Sequence, residues 1–254
     1  MIIEKIIGED VEKVVRAQKE TAGGIDQWLP AEFKLLSRGA CENLATMFNM
    51  IEAGASWPDS TTIARAAFMA KEEESDMDPL DYRVLLMLST AYRTWAKIRL
   101  ERLHPWVGTW ALDEIYAGIE GQWANDAAYA TAVEIEWCRL QGLDYSGGAA
   151  DIYKCFDQIQ RIIVYRIMEA AGMPGGVLNA YREFQEALTI RNTVTGGLGE
   201  PYKKPNVHTA GGSAVDDGHA LTVDGMGSPD EVVCSEVLES LLMTYSCPVR
   251  GLTM

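Results

Sequence analysis

The stretch GAADIYKCFD, from Gly148 to Asp157, joins two kinds of local pattern. Its apolar, β-prone core follows a glycine-rich turn, which predicts a short buried strand. Asp157 then stands where a helix N-cap is expected, and Gln160 three residues later completes a capping box. Apolar residues recur at helical spacing behind it. The stretch therefore predicts a strand that begins at Asp151 and leads directly into a helix.

A carboxylate at the edge of such a strand has two interpretations. Phosphoryl-transfer enzymes place a metal ligand there, because the strand holds the acid rigidly beside the reacting groups. A structural strand–helix junction carries the same residues for capping alone. The stretch by itself leaves both interpretations open for Asp151.

The bulk composition is that of a globular protein with a large core. The chain has 254 residues, of which 48% are hydrophobic and 23% charged, and no apolar run approaches the roughly 20 residues that cross a bilayer. The five cysteines are scattered and form no CxxC pair, and the three histidines have no metal-binding spacing. This pattern predicts an intracellular protein, nuclear or cytoplasmic, with reduced thiols, no membrane partner and no histidine-based metal centre.

The net charge and the local distribution of charge give opposite indications about nucleic-acid binding. The formal net charge of −15 disfavours tight binding to phosphates, since most nucleic-acid-binding domains are basic. A local basic run nevertheless follows Arg83 and contains Arg93, Lys97, Arg99 and Arg102. This run predicts either a solvated helix face or a contact with a nucleic-acid backbone.

Periodicity predicts helices separated by a few strands, and hence an α+β fold. After Pro205 the helical and strand periods are lost, which predicts a mostly disordered tail over residues 205–254. Ile63–Ala70 is compatible with a strand or a helix, and the turn signal before it and the acidic loop after it favour a strand. The other predicted elements are helices before residue 55, a strand at Tyr82–Leu86, helices at Ser89–His104 and Asn125–Gln141, two helices between residue 157 and Ala187, and a strand at Leu188–Thr195.

Six motifs in order resemble the reverse transcriptase domain of LINE-type (non-LTR) retrotransposons. The similarity covers roughly residues 20–204. The motifs are Ala22–Trp28 (AGGIDQW), Ile51–Pro58 (IEAGASWP), an apolar run that ends at Lys71, Tyr82–Leu85 (YRVL), Tyr92–Leu100 (YRTWAKIRL) and Asp151–Asp157 (DIYKCFD). The last of these resembles the first catalytic motif of the family.

The resemblance implies roles for individual residues. Asp151 matches the first metal-binding aspartate, which with its partners holds the Mg²⁺ ions of nucleotide transfer. Phe156 matches the bulky residue that selects deoxynucleotides, and Arg83 the arginine that contacts the triphosphate, with Lys71 assisting it. Arg93, Lys97 and Arg99 become expected contacts to a nucleic-acid backbone. The implied partners are an RNA/DNA template-primer and a dNTP, and Asp157 is interpreted as a helix cap.

Two parts of the family pattern are missing. One is a Pro-Gln-Gly-Asp-Pro loop, and the other is an Ala-Asp-Asp turn that supplies the remaining metal ligands. The Asp216-Asp217 pair follows a glycine-rich run instead of an apolar strand, so it predicts a solvated acidic loop. The chain is therefore expected to be a partial, inactive polymerase domain.

Back-translation suggests that the missing Pro-Gln-Gly-Asp-Pro loop is encoded in a shifted reading frame. Read from the second base of each codon, the permitted codons of Pro205–Asp217 include those for Pro-Thr-Ser-Ile-Pro-Gln-Gly-Asp-Pro-Leu-Ser-Met-Met. The hypothesis is a frameshift, or a gene-model error that acts like one, near Tyr202–Pro205.

The expected architecture has three parts. Residues 1–145 form a mainly helical fingers-like region, residues 146–204 start an incomplete antiparallel palm sheet with the Asp151 and Leu188–Thr195 strands, and residues 205–254 form the unmatched tail. Two other functions remain open, namely a residual nucleic-acid-binding module and an acidic helical interaction protein without enzymatic role.

Overall fold

A computed structural model describes residues 3–70, 82–119, 121–148, 159–194 and 197–203. Helices dominate this part of the chain and surround one small sheet, so the predicted α+β class is confirmed. The helices are α1 (Gly8–Ala17), α2 (Pro30–Phe33), α3 (Arg38–Glu52), α4 (Thr90–Val107), α5 (Ala124–Gln141), α6 (Arg161–Ala170) and α7 (Gly175–Ala187), and the strands are β1 (Ile63–Ala70), β2 (Tyr82–Met87), β3 (Thr189–Val194) and β4 (Gly197–Leu198).

The sheet is mixed, with strand order β2-β1-β3-β4. Strands β1 and β2 pair in antiparallel fashion where the small β element was predicted, with Ala66 opposite Leu86. Strand β3 pairs with β1 in parallel, with Ala64 opposite Ile190. The expectation that β3 belongs to a separate antiparallel palm sheet is therefore corrected. Strand β2 returns the chain to the end of the sheet where β1 starts, and β3 begins at that same end on the other edge of β1, so it runs parallel to β1.

One face of the sheet packs on the helices. Ala64, Ala66, Leu86 and Ile190 are all buried on this side, as the two-residue alternation of strands requires. The small alanines of β1 let the helix layer approach the sheet closely.

An aromatic cluster fills the centre of the core. Trp57 lies 5.4 to 5.6 Å, between ring centroids, from Tyr92, Trp95 and Phe184, and Tyr92 stacks on Phe184 at 3.4 Å. The Trp57 indole donates a hydrogen bond to the carbonyl of Ala180, 2.9 Å away, which satisfies its buried N–H. Phe184 comes from the region 146–204 and the other three from the region 1–145. The described parts of these two regions thus share one hydrophobic core.

Local capping signals set several helix ends. Ser89 accepts a hydrogen bond from the amide of Ala91 and caps α4, as predicted. Gly142 adopts the left-handed conformation and ends α5. Two predicted ends are wrong: α4 continues through Pro105 to Val107, and α6 begins at Arg161 with Gln160 as its N-cap.

The α4 extension has a tertiary cause. Trp106 is buried, and its indole N–H donates to the carbonyl of Ala171 at 2.8 Å. This packing outweighs the backbone hydrogen bond that Pro105 removes. Asp157 lies outside the described residues, but it is not the N-cap of α6, because α6 begins at Arg161 directly after Gln160. The 205–254 tail also lies outside the described residues, so the prediction made for it stays a prediction.

Candidate functional site

The sheet has a second face, opposite the one that packs on the helices. Its side chains alternate with the buried ones along each strand, and they are half-buried: Arg65, Ala67, Leu85, Met87, Arg191 and Thr193. We call the surface formed by Arg65, Met87, Arg191 and Thr193 the open sheet face.

Two arginines lie side by side on the open sheet face. Arg65 of β1 and Arg191 of β3 are direct partners in the parallel register, so their backbones are about 4.8 Å apart. The Arg65 Nη2 donates to the sulfur of Met87 at 3.2 Å, a weak acceptor. Among the described residues, neither guanidinium forms an ion pair with a carboxylate.

Unsatisfied polar atoms accompany this pair. The Arg65 Nε and the Thr193 Oγ1 are both buried and have no hydrogen-bond partner. Buried donors of this kind cost free energy unless something accepts their hydrogen bond. Two positive charges and unmet donors on one surface are suited to an oxyanion, above all a phosphate, which the planar guanidinium binds with two parallel hydrogen bonds.

Three other arginines pair with carboxylates. Arg102 bonds Asp10 at 2.6 Å, and Arg99 bonds Glu52 at 2.6 Å. Arg161 reaches Glu186 at 3.5 Å. In this chain of net charge −15, Arg65 and Arg191 are adjacent, and within the described residues neither pairs with a carboxylate.

The predicted site residues are only partly described. Arg83 lies on β2, where its backbone pairs with that of Met69, but its side chain is outside the described part. Lys71, Asp151 and Phe156 also lie outside the described residues. Their roles in binding nucleotide or Mg²⁺ therefore stay predictions.

The basic helix is α4, and its arginines are largely internal. Arg99 is only 2% exposed, and its Nε and Nη2 bond the two carboxylate oxygens of Glu52 at 2.6 Å each. Its Nη1 donates to the carbonyl of Glu4. Arg99 is therefore corrected from a nucleic-acid contact to a core residue, because its donors are occupied and shielded from solvent.

Arg93 and Lys97 are half-buried on the same helix. Arg93 donates to Thr21 Oγ1, to the Ala22 carbonyl and to Thr90 Oγ1, at 2.9 to 3.0 Å. It thus ties the Ala22–Trp28 motif to the start of α4. This contact gives Arg93 a structural role, and for Lys97 the nucleic-acid prediction is untested.

Other motif residues join the same junction. Ser89 Oγ donates to Asp26 Oδ2 at 2.6 Å, and Thr90 Oγ1 donates to the carbonyl of Trp28 at 2.6 Å. A Cβ added at Gly24 would lie 2.9 Å from the Ser89 amide nitrogen, so only glycine fits there. In the described part, several residues that carry the resemblance are the ones that assemble the fold.

A cleft of 360 Å³ opens at the start of α6 and is lined by Gln160, Arg161, Ile162, Tyr165 and Glu186. Burial, followed by the nearby Glu186 carboxylate, raises the pKa of Tyr165 well above its usual value. Tyr165 therefore stays protonated at neutral pH and donates to Glu186 at 3.0 Å. The carboxylate of Glu186, which lines the cleft, therefore already accepts a hydrogen bond from Tyr165.

No metal centre is formed by the described residues. Within them, no group of three histidine, cysteine, aspartate or glutamate side chains is arranged to hold an ion. The expected Mg²⁺ ligand Asp151 is outside this part of the chain. None of the described helices combines the length and the apolar character that crossing a bilayer requires.

Arg65 and Arg191 were missed by the sequence analysis. Each lies in a stretch that was correctly predicted as a strand. Since successive residues of a strand point to opposite faces of a sheet, the prediction assigns each arginine to one face of its own strand. Their adjacency depends on the β1–β3 register, which no local pattern reports. The chain matches no protein-family model, and no curated protein matches its sequence.

Proposed function

We propose that this chain is a partial RNA-directed DNA polymerase domain of a retrotransposon that lacks polymerase activity and binds nucleic-acid phosphates on its open sheet face. The observation that carries the binding part of this proposal is the adjacent Arg65–Arg191 pair, which forms no ion pair with a carboxylate within the described residues. The order of the six motifs supports the family part. Arg83, on the neighbouring strand β2, is the residue that the resemblance assigns to phosphate contact.

The acidity of the chain limits the strength of this binding. A local pair of arginines can attract a phosphate backbone, while a net charge of −15 repels the rest of the polyanion. Binding is therefore weak, confined to the open sheet face and strongly weakened by salt. We expect it to be measurable only at low ionic strength.

The lack of activity follows from the missing ligands. Two-metal nucleotide transfer needs several carboxylates to hold two divalent cations close together against their mutual repulsion. This chain matches the family pattern at Asp151 and lacks the residues that supply the other metal ligands in the family. One carboxylate cannot organise the attacking 3′-hydroxyl and the leaving pyrophosphate.

A primer-extension assay with Mg²⁺, dNTPs and an RNA template annealed to a DNA primer tests the catalytic part. We expect no extension above the protein-free background. Template-dependent synthesis that depends on Asp151, tested with Asp151→Asn, would show instead that the remaining metal ligands come from elsewhere in the chain.

Binding to a labelled RNA–DNA hybrid, followed by fluorescence anisotropy over a range of salt concentrations, tests the open sheet face. We expect the Arg65→Gln/Arg191→Gln variant to bind more weakly and to lower the slope of log K against log salt by about two, one for each lost phosphate contact. The matched control is Arg166→Gln on α6. Arg166 is 73% exposed and pairs only with Glu169 in the next turn, so its loss should leave the slope unchanged. Equal slopes for wild type and double variant would refute the site.

A further inference from the structure

Helix α5 contributes no buried side chain to the described core. Its large apolar residues lie in solvent: Tyr129 is 73% exposed, Trp137 55% and Leu140 74%. Helices in folded proteins owe most of their stability to packing an apolar face, and contiguous exposed apolar surface marks interaction sites. Within the described residues, helix α5 therefore packs no apolar face against a partner.

The spacing of this face is that of a coiled-coil seam. Ala130, Val133, Trp137 and Leu140 are three, four and three residues apart, which are the a and d positions of a heptad. We call these four residues the α5 seam. It spans about 15 Å of helix, enough to contact roughly three turns of a second helix.

Acidic residues border the α5 seam on both sides. Glu134 follows Val133 and Glu136 precedes Trp137, which are the e and g positions of the same heptads, and both are exposed. Arg139, the basic residue of α5, is at a c position on the outer side of the helix. The charged residues at the e and g positions beside the seam are therefore both acidic.

This charge pattern decides between two kinds of occupant. A second copy in parallel orientation would place Glu134 against Tyr129 and Glu136 against Gln141, because a g residue faces the e residue of the following heptad, and an antiparallel copy would place each glutamate near its own counterpart. The first arrangement pairs no opposite charges and the second opposes like charges, at the positions that set partner choice in coiled coils. A helix with Lys or Arg at its e and g positions meets attraction on both borders.

We propose that the α5 seam docks a basic amphipathic helix of another protein. The apolar seam supplies the contact area, and Glu134 and Glu136 select a cationic partner. This inference depends only on α5, so it stands or falls independently of the open sheet face.

The test uses two synthetic helical peptides of about three heptads with Leu at a and d. One carries Lys at e and g and the other carries Glu. Binding of each labelled peptide to the full chain is measured by anisotropy. We expect the Lys peptide to bind and the Glu peptide not to bind.

Two matched variants locate the site. Val133→Asp places a charge in the seam, whereas Ile135→Asp places it on the opposite side of α5, where the native side chains are similarly exposed at 48% and 44%. We expect Val133→Asp to weaken binding of the Lys peptide at least about tenfold and Ile135→Asp to change it less than about twofold. Circular dichroism checks that both variants keep the same helix content. The Glu134→Lys/Glu136→Lys variant should reverse the preference and bind the Glu peptide.

Several results would overturn this proposal. Equal binding of the Lys peptide by wild type and Val133→Asp would exclude the seam. Sedimentation showing a wild-type dimer that Val133→Asp dissociates would make a second copy the occupant. Binding of both peptides alike would show that charge does not select the partner.

Discussion

The Glu52–Arg99 pair shows how single residues can hold this fold together. The Glu52 carboxylate accepts from both Nε and Nη2 of Arg99, and also from the indole N–H of Trp95 at 2.8 Å. The side chains of Arg99 and Glu52 are only 2% and 12% exposed. The pair links α3 to α4, and the Arg99 bond to the Glu4 carbonyl adds the N-terminal segment.

We expect Glu52→Ala to destabilise the protein by about 3–5 kcal/mol, because it leaves the buried Arg99 guanidinium without its counter-charge. Urea unfolding followed by tryptophan fluorescence measures this loss. A double variant, Glu52→Leu/Arg99→Met, should lose much less, since it removes both charges from the interior.

The control for this prediction is a solvent-exposed ion pair. Lys13 and Glu101 are 3.0 Å apart, with side chains 73% and 42% exposed. Glu101→Ala should cost less than about 1 kcal/mol. If Glu52→Ala costs as little as Glu101→Ala, the Arg99 site is solvated in solution and its assignment to the core is wrong.

At the scale of elements, the contact between α3 and α7 depends on a close approach at Gly176. A Cβ built at Gly176 would lie 2.9 Å from the backbone carbonyl oxygen of Glu52. That atom belongs to the last residue of α3 and cannot move without shifting the helix. The adjacent Gly175 has no atom within 4 Å of an added Cβ.

We therefore expect Gly176→Ala to lower stability by about 1–3 kcal/mol, the usual cost of overpacking. Gly175→Ala should be neutral or stabilise by up to about 1 kcal/mol, because alanine reduces the entropy of the unfolded chain. Thermal unfolding of the two variants side by side measures the difference. Equal melting temperatures would mean that α7 sits further from α3 than the structure places it.

At the scale of the whole molecule, the coding sequence offers the most direct test of the family hypothesis. We expect the codons of Pro205–Asp217, read from their second base, to encode the Pro-Gln-Gly-Asp-Pro loop without a stop. The nucleotide sequence of this region settles the question. Codons that cannot spell the loop in the shifted frame would remove the frameshift hypothesis and weaken the assignment of Asp151 to a metal site.

Much of the fold could be predicted because its signals are local. Residues a few positions apart produce the turn signal before Ile63–Ala70, the alternation at Leu188–Thr195, the Ser89 cap and the Gly142 helix end. For this reason the elements were placed within a few residues of their observed bounds. Pro105 misled the prediction of the α4 end, because the burial of Trp106 is a tertiary effect that outweighs a local helix breaker.

The candidate site was less predictable than the fold. A run of arginines on one helix looked like a binding surface, but burial of Arg99 against Glu52 depends on α3, which is far away in sequence. Arg65 and Arg191 lie far apart in the chain, and they meet only because β3 pairs in parallel with β1. The charge composition of the chain predicts neither the burial of Arg99 nor the adjacency of Arg65 and Arg191.

The sequence by itself thus determined the elements, the α+β class and the set of residues available for chemistry, because helix and strand periods and caps act over a few residues. The tertiary structure decided, within the described residues, which arginines pair with carboxylates, which two are adjacent without a counter-charge, and which helix has a face without a partner. These outcomes depend on strand register and on the faces that meet across the core. Such contacts join residues distant in sequence, so no local spacing records them.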